Sequence, residues 1–410
     1  MRNADFFNPQ IKQRTQIGFI QYHDGKKTST SQAIKMKKDT ELRITIIGLG
    51  NLMEAIFPCI VETIGRENLC RQVNATTKDQ SDLKRKQEVL GISVILNDNL
   101  AALKKMEPDI IFFAPPPHVA SDIIRNEFKN YFDYVREESG ALPEIYAFPP
   151  TPSGAFYEKI LGKDIRVVNI LPHPVRVIGG KPLKGEGFYS RTFHRSWPQE
   201  STTRLKRIFE SMGKGIELKP DEIAPMMGAW IMLEVLSEVV TAIADTMEEK
   251  GKPIDHRILS KYMRSKAQQV LGSSRERGGI SGIERIEAPL AMFLDNVTLA
   301  WYEGIRNYFQ EASFPNKLSM RILNLLMDFQ LLILEAEDRQ TVDANTSIAA
   351  TKGGVLEKGI TCYHQTIEAT LKKAIKQMPE KPAEKWREVL SGQVTEAAHA
   401  VRKHGMTLSG

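Results

Sequence analysis

The feature that most constrains this chain is a pair of glycines at the end of a short β-branched run. Residues Leu42-Arg43-Ile44-Thr45-Ile46-Ile47 read as a buried strand that stops at Gly48-Leu49-Gly50, and the apolar periodicity of 52–64 reads as a helix. Few folds accommodate a strand, a two-glycine turn and a helix in immediate succession. The turn needs residues free of a Cβ, and the helix beyond it offers unpaired N–H groups and the positive end of its dipole to an anion. This is the opening of a dinucleotide-binding βαβ unit, in which Gly48 makes the tight turn and Gly50 lets backbone approach a diphosphate. Asn51 and Leu52 join them as expected cofactor contacts. The third glycine of the full motif is missing; Met53 and Ala55 occupy its neighbourhood.

The pattern downstream agrees. Further strands are expected at 70–76, 94–96, 109–114, 145–148 and 166–171, with helices between them, including one over 78–88. Near-continuous apolar strands alternating with helices predict a doubly wound, mainly parallel sheet over residues 41–195, buried on both faces. After Trp197 helical periodicity dominates, which predicts an all-helical domain over 196–378 and a helical tail over 379–410. Residues 1–40 read as a polar arm, since Gly25-Lys26-Lys27-Thr28-Ser29-Thr30-Ser31 has no periodicity. The stretch 223–247 is apolar on nearly every face and needs burial on all sides, within the chain or in a helical dimer.

Composition narrows the partners. Lys and Arg number 56 against 50 Asp and Glu, a net charge of +6 on 410 residues. That suits an anionic small molecule and is too slight and scattered for nucleic acid. Three cysteines without metal-ligand spacing argue for a reducing compartment, against a disulfide framework and against a metal site. No segment reads as a membrane span: the apolar stretch 318–334 is broken by Arg321, Asn324, Asp328 and Gln330. The N-terminus lacks the apolar core of a signal peptide, and Asp5, Asp24 and Asp39 count against a transit peptide, so a cytoplasmic protein is expected, with an organellar transit peptide as the less favoured alternative.

The end of the second strand sets cofactor choice in this fold, an acid favouring NAD and a basic or hydroxyl cluster favouring NADP. Thr77, Lys78, Ser81 and Arg85 read as a phosphate pocket and favour NADP; Asp79 is the counter-signal that keeps NAD as the alternative.

Four segments, in order along the chain, resemble pyrroline-5-carboxylate reductases. Gly48-Leu49-Gly50-Asn51-Leu52-Met53-Glu54-Ala55-Ile56 is similar to the family's opening turn. Phe113-Ala114-Pro115-Pro116-Pro117 stands where the family has Ala-Val-Lys-Pro. Arg166-Val167-Val168-Asn169-Ile170-Leu171-Pro172-His173-Pro174 matches its Arg-Val-Val-Arg-Val-Met-Pro-Asn-Thr segment, and Ala350-Thr351-Lys352-Gly353-Gly354 matches its Gly-Gly loop. The resemblance implies a Rossmann domain followed by a helical dimerisation domain, and reduction of a cyclic imino acid by NAD(P)H. It implies cofactor contacts at Ala114, Pro115, Pro117 and His118, and a carboxylate-bearing substrate held by Thr351, Gly353 and Gly354. The departures are Pro116 for Lys, His173 for Asn, Lys352 for Pro, Val355-Leu356 for two threonines, and extra residues over roughly 278–338. These mark a divergent member whose substrate differs from pyrroline-5-carboxylate.

Hydride transfer to an iminium needs little acid catalysis, so no triad or carboxylate pair is expected. What helps is an anion anchor and one polar group. Thr351, Lys352, Gly353 and Gly354 supply N–H groups and a charge for the first, or simply cap a helix. His173, in a loop after an apolar strand, and Lys352 are the candidate catalytic side chains. Glu234 and Glu238 lie on an apolar helix and face either a substrate amine or water. Two other readings compete. His173-Pro174 followed by Gly179-Gly180 is faintly similar to arogenate and prephenate dehydrogenases, and the missing threonines fit a cofactor-binding regulator without catalysis.

Overall fold

Ile44-Thr45-Ile46-Ile47 and Ile110-Ile111-Phe112-Phe113 are fully buried and lie side by side, Ile44 opposite Ile110 and Ile47 opposite Phe113. β-branched and aromatic side chains pack well on a pleated surface covered on both faces, and this pair lies in the interior of the sheet. The computed structural model describes residues 41–173, 176–177, 181–182, 187–270, 286–350, 354–378 and 383–407. The expected N-terminal arm lies outside the described residues. The strands are β1 (Ile44–Ile47), β2 (Val73–Thr77), β3 (Ser93–Leu96), β4 (Ile110–Phe113), β5 (Glu144–Ala147), β6 (Arg166–His173), β7 (Arg176–Val177), β8 (Lys181–Pro182), β9 (Gly187–Phe193) and β10 (Gly213–Glu217). Eight form one sheet in the order β10-β9-β6-β5-β4-β1-β2-β3, while β7 and β8 pair separately. Strands β1 to β6 run parallel; β9 is antiparallel to β6 and parallel to β10. The expected doubly wound, mainly parallel sheet is therefore present, and helices follow it.

Alternation along the strands feeds two cores. Ile44, Ile46, Ile110 and Phe112 face Met53, Ile56, Phe57 and Ile60 of the helix Asn51–Ile64. Ile47, Ile111 and Phe113 face Leu103, Ile124, Phe128, Phe132 and Tyr157 on the other side.

The sheet takes in more chain than the sequence suggests. The helix Gln199–Glu210 and strand β10 fall in the stretch assigned to the helical domain from residue 196, yet both pack on the sheet. The cause is a stripe of Leu205, Ile208 and Phe209, with Phe209 ringed by Phe112, Tyr146 and Phe148. Arg204 beside it donates to the buried carboxylate of Glu144 at 2.8 Å. The expected strand over 70–76 starts only at Val73, after a helical turn Leu69–Gln72, and the helix expected at 78–88 runs Leu83–Leu90.

The helical part is built around the helix Ala288–Glu311. Its Trp301 indole donates to the Met232 carbonyl at 2.7 Å, and its Tyr308 hydroxyl donates to the Pro225 carbonyl at 2.9 Å. The expected single helix over 223–247 is two, Ile223–Glu234 and Leu236–Glu249, joined at Val235. The stretch Pro220–Glu249 is long and apolar enough to cross a membrane, with mean hydropathy 1.6 in its most apolar window, but 72% of that window is buried inside the fold. The chain itself thus buries most of this stretch and leaves a half-buried stripe at Trp230, Glu234, Glu238, Thr241 and Asp245. The extra residues of 278–338, where described, contribute to the core: Trp301 and Tyr308 are wholly buried. The helix Ala383–Thr407 buries Leu390, Val394, Ala398 and Val401.

Three helices meet at Gly228, where a Cβ would lie 2.3 Å from the Tyr308 hydroxyl and 2.8 Å from the Ala398 carbonyl oxygen. Gly228→Ala is expected to cost about 1–3 kcal/mol by overpacking and by loss of the Tyr308 hydrogen bond. Urea unfolding checks this; an unchanged midpoint would contradict so close an approach.

Candidate functional site

In an open α/β sheet, ligands bind beyond the carboxyl ends of the strands where the winding reverses. Here β1 lies between β2 and β4, so that point is the β1/β4 boundary. Gly48 sits there with φ +87°, and a Cβ on it would lie 2.9 Å from both the Ala114 carbonyl carbon and the Pro115 nitrogen. A side chain is excluded twice over, by backbone conformation and by contact. The turn is tied to β2: the Leu49 amide donates to the Thr76 carbonyl at 2.7 Å, and the Gly48 amide to the Thr76 hydroxyl at 3.3 Å. Gly50 is the N-cap of Asn51–Ile64, and a Cβ on it would meet nothing within 4 Å. Asn51 and Leu52 are exposed at the first turn of that helix.

At the end of β2 several of the expected pocket residues have partners within the chain. Thr77 is buried and accepts from the Asp79 amide at 3.2 Å. Ser81 donates its hydroxyl to the Asp79 carboxylate at 2.6 Å, and the Ser81 amide donates to the same oxygen at 3.0 Å. The Ser81 hydroxyl beside it holds the Asp79 carboxyl below the usual carboxylate range. Arg85 binds Glu54 at 3.0 Å and also pairs with Asp82. Lys78 is exposed.

The loop after β4 closes the other side. Ala114 donates its amide to Ile47 at 2.8 Å, Pro115 is buried, and Pro117 opens the helix Pro117–Ile123 with His118 exposed on its first turn. His173 is the last residue of β6, paired with Phe188. Two strand spacings, about 10 Å, separate β6 from β4. The fold thus brings Gly48, Gly50, Asn51, Leu52, Thr77, Ala114, Pro115 and His118 to one edge, with His173 farther along it. Thr351, Lys352 and Gly353 lie outside the described residues; Gly354 is the N-cap of Val355–Cys362. Among the described residues no His, Cys, Asp and Glu group is placed to hold a metal ion.

Three features escape the sequence reading. Lys86 is buried beneath the glycine turn and donates to the Leu49 carbonyl at 2.9 Å. Its signal is position: it shares a helical face with Leu83 and Leu90, both packed against the core. Second, Thr76 donates to Asn99 at 2.6 Å, and Asn99 in turn hydrogen-bonds Glu127, whose carboxyl burial pushes up. Third, His194 contacts the Asn169 side-chain oxygen at 2.6 Å, and Asn169 donates to the Pro149 carbonyl at 3.1 Å. Burial holds His194 below the usual histidine range.

In the helical part, Glu234 is half-buried beside Trp230. Burial pushes its carboxyl from 4.5 up to about 7, against an opposing hydrogen bond from the Trp230 indole. The folded state thus favours the protonated form where the unfolded chain would ionise. The group's stabilising contribution is complete below about pH 4.5 and is lost as pH rises toward 7. Glu234→Gln has no proton to lose and should flatten this part of the stability profile. Thermal melts between pH 4.5 and 8 check it; identical slopes in both proteins would contradict the buried carboxyl.

No protein-family model matches the chain, and no curated protein matches it. Several solved structures are similar. A pyrroline-5-carboxylate reductase from Coxiella burnetii is 17% identical with TM-score 0.43, over 70% of this chain and 98% of that one. The Plasmodium falciparum pyrroline carboxylate reductase with NADP bound is 12% identical with TM-score 0.34, over 86% and 99%. A prephenate dehydrogenase from A. aeolicus, in complex with hydroxyphenyl propionate and NAD+, is 13% identical with TM-score 0.34, over 82% and 96%.

Proposed function

We propose that the chain is a nicotinamide-dinucleotide-dependent oxidoreductase that reduces the C=N bond of a cyclic imino acid or related amino-acid derivative. One observation carries the cofactor reading: the Gly48-Leu49-Gly50 turn lies at the β1/β4 switch point and opens the helix Asn51–Ile64, whose first residues are exposed. The residues present fit the group. Among the described residues, chain neighbours aside, nothing lies within 4 Å of where a Cβ on Gly50 would stand, the Ala114–Pro115 backbone floors the crevice, and the N-terminus of Asn51–Ile64 would take a diphosphate. A bound nicotinamide supplies hydride; the chain supplies position and charge. The substrate reading rests on the collinear motifs at 48–56, 113–117, 166–174 and 350–354. Thr351, Lys352, Gly353 and Gly354 would anchor a carboxylate at the start of Val355–Cys362, and His173 would supply the polar group at the end of β6. Dimerisation through the helical part belongs to the same reading. Met292 and Val389, each 53% exposed, lie beside the tilted Phe293–Trp386 ring pair there.

The β2 end speaks for NAD over the NADP expected from Thr77, Lys78, Ser81 and Arg85. Ser81 is committed to Asp79, Arg85 to Glu54 and Asp82, and the ionised Asp79 would accept from a ribose diol and repel a phosphate. Calorimetric titration is expected to show NADH binding at least as tightly as NADPH. Asp79→Ala is expected to shift the ratio of affinities about tenfold toward NADPH, the scale of one charge contact. Tighter NADPH binding by the unaltered protein would restore the NADP reading.

Loss of absorbance at 340 nm with a panel of cyclic imino acids tests the reaction. Turnover with at least one supports it. Cofactor binding with no imine turnover would count against it, and oxidation of arogenate or prephenate with NAD(P)+ would move the chain to the dehydrogenase reading suggested by His173-Pro174.

A further inference from the structure

We propose that Lys86 is a positioning residue for the dinucleotide, its ammonium fixing the Leu49–Gly50 peptide and placing a cation behind the amides that face the diphosphate. The inference rests on the dinucleotide reading above. The Lys86 side chain is only 5% exposed. Its Nζ lies 2.9 Å from the Leu49 carbonyl oxygen, 3.3 Å from Asp82, 3.5 Å from the Thr77 hydroxyl and 3.9 Å from Glu54. An ammonium has three donors, and the nearest three of these acceptors use them.

Packing alone does not explain a lysine here. The residue shares its helical face with Leu83 and Leu90, both packed on the core. A methionine would fill that face without the cost of desolvating a charge, and buried ion pairs are often no more stabilising than apolar replacements of similar volume. What the charge adds lies on the other side of the turn. The carbonyl that takes the ammonium belongs to the Leu49–Gly50 peptide, whose own N–H donates to the Gly48 carbonyl at 2.9 Å, so the ammonium and that bond together fix the turn just before the free amides of Asn51–Ile64. A cation on the carbonyl polarises that peptide and adds to the positive potential at the helix end. Glu54 and Asp82 are shared with Arg85, so the network also ties the first turn of this helix to Leu83–Leu90.

The charge makes a prediction that a structural prop does not. NADH is titrated calorimetrically into the full-length protein, Lys86→Met and Asp82→Asn, each at low and at high potassium chloride. Lys86→Met is expected to weaken NADH about tenfold at low salt, the scale of one unit charge at short range, and to make its affinity less sensitive to salt. Asp82→Asn keeps the ammonium and removes one of its counter-charges, so it is expected to tighten binding. Equal affinity for all three proteins, or weakening by both variants, overturns the proposal. Asp82 is partly exposed, so its variant decides the sign even where Lys86→Met fails to fold. Failure of the unaltered protein to bind NADH or NADPH overturns the dinucleotide reading itself; binding that both variants leave unchanged overturns only the role of Lys86.

Discussion

The upper edge of the sheet depends on how closely two loops approach at Gly48. The backbone there turns through positive φ while the Ala114–Pro115 peptide comes within 2.9 Å of where a side chain would begin. That approach follows from β1 and β4 pairing in parallel, with Ile47 opposite Phe113, so their exits leave the sheet side by side. From that point one chain segment winds toward β2 and β3 and the other toward β5 and β6. The crevice between them is a consequence of topology, and the glycine lets its floor close without a side chain inside it.

The helical part completes the arrangement from the far side of the sheet. Leu171 of β6 and Ile216 of β10 belong to the same apolar core as Met226, Trp301 and Tyr308. The Ser190 hydroxyl of β9 lies 3.7 Å from the Met226 sulfur. The antiparallel extension β9 and β10 is therefore the seam along which the helices join the sheet, next to the strand that ends at His173. The helix Val355–Cys362 packs against Ile223–Glu234, its Gly359 lying against Ile231. Residue 354, last of the proposed anchor, is thereby fixed to the helix that carries Glu234.

Much of this was legible in the residues. The short buried strands announced themselves as runs such as Ile110-Ile111-Phe112-Phe113, and glycines followed by an apolar helix marked the turn. Strands β9 and β10 were not legible, because Gly213-Lys214-Gly215-Ile216-Glu217 carries one buried apolar side chain and draws its order from pairing with β9. The partners of the residues read as a phosphate pocket are hidden for a related reason. Composition shows a cation at Arg85 but cannot show that Glu54, thirty-one positions away, binds it. Lys86 was hidden inside a run of charges that resembles a solvated face, and only its register with Leu83 and Leu90 distinguishes it. Of the substrate anchor, the sequence supplies residues and the structure describes Gly354 alone.

The most direct measurement is a crystal structure of the protein grown with NADH. The account predicts diphosphate density against the backbone of Gly50, Asn51 and Leu52, with the nicotinamide carried past Ala114 toward β6. Dinucleotide density at any other place on the molecule would contradict it.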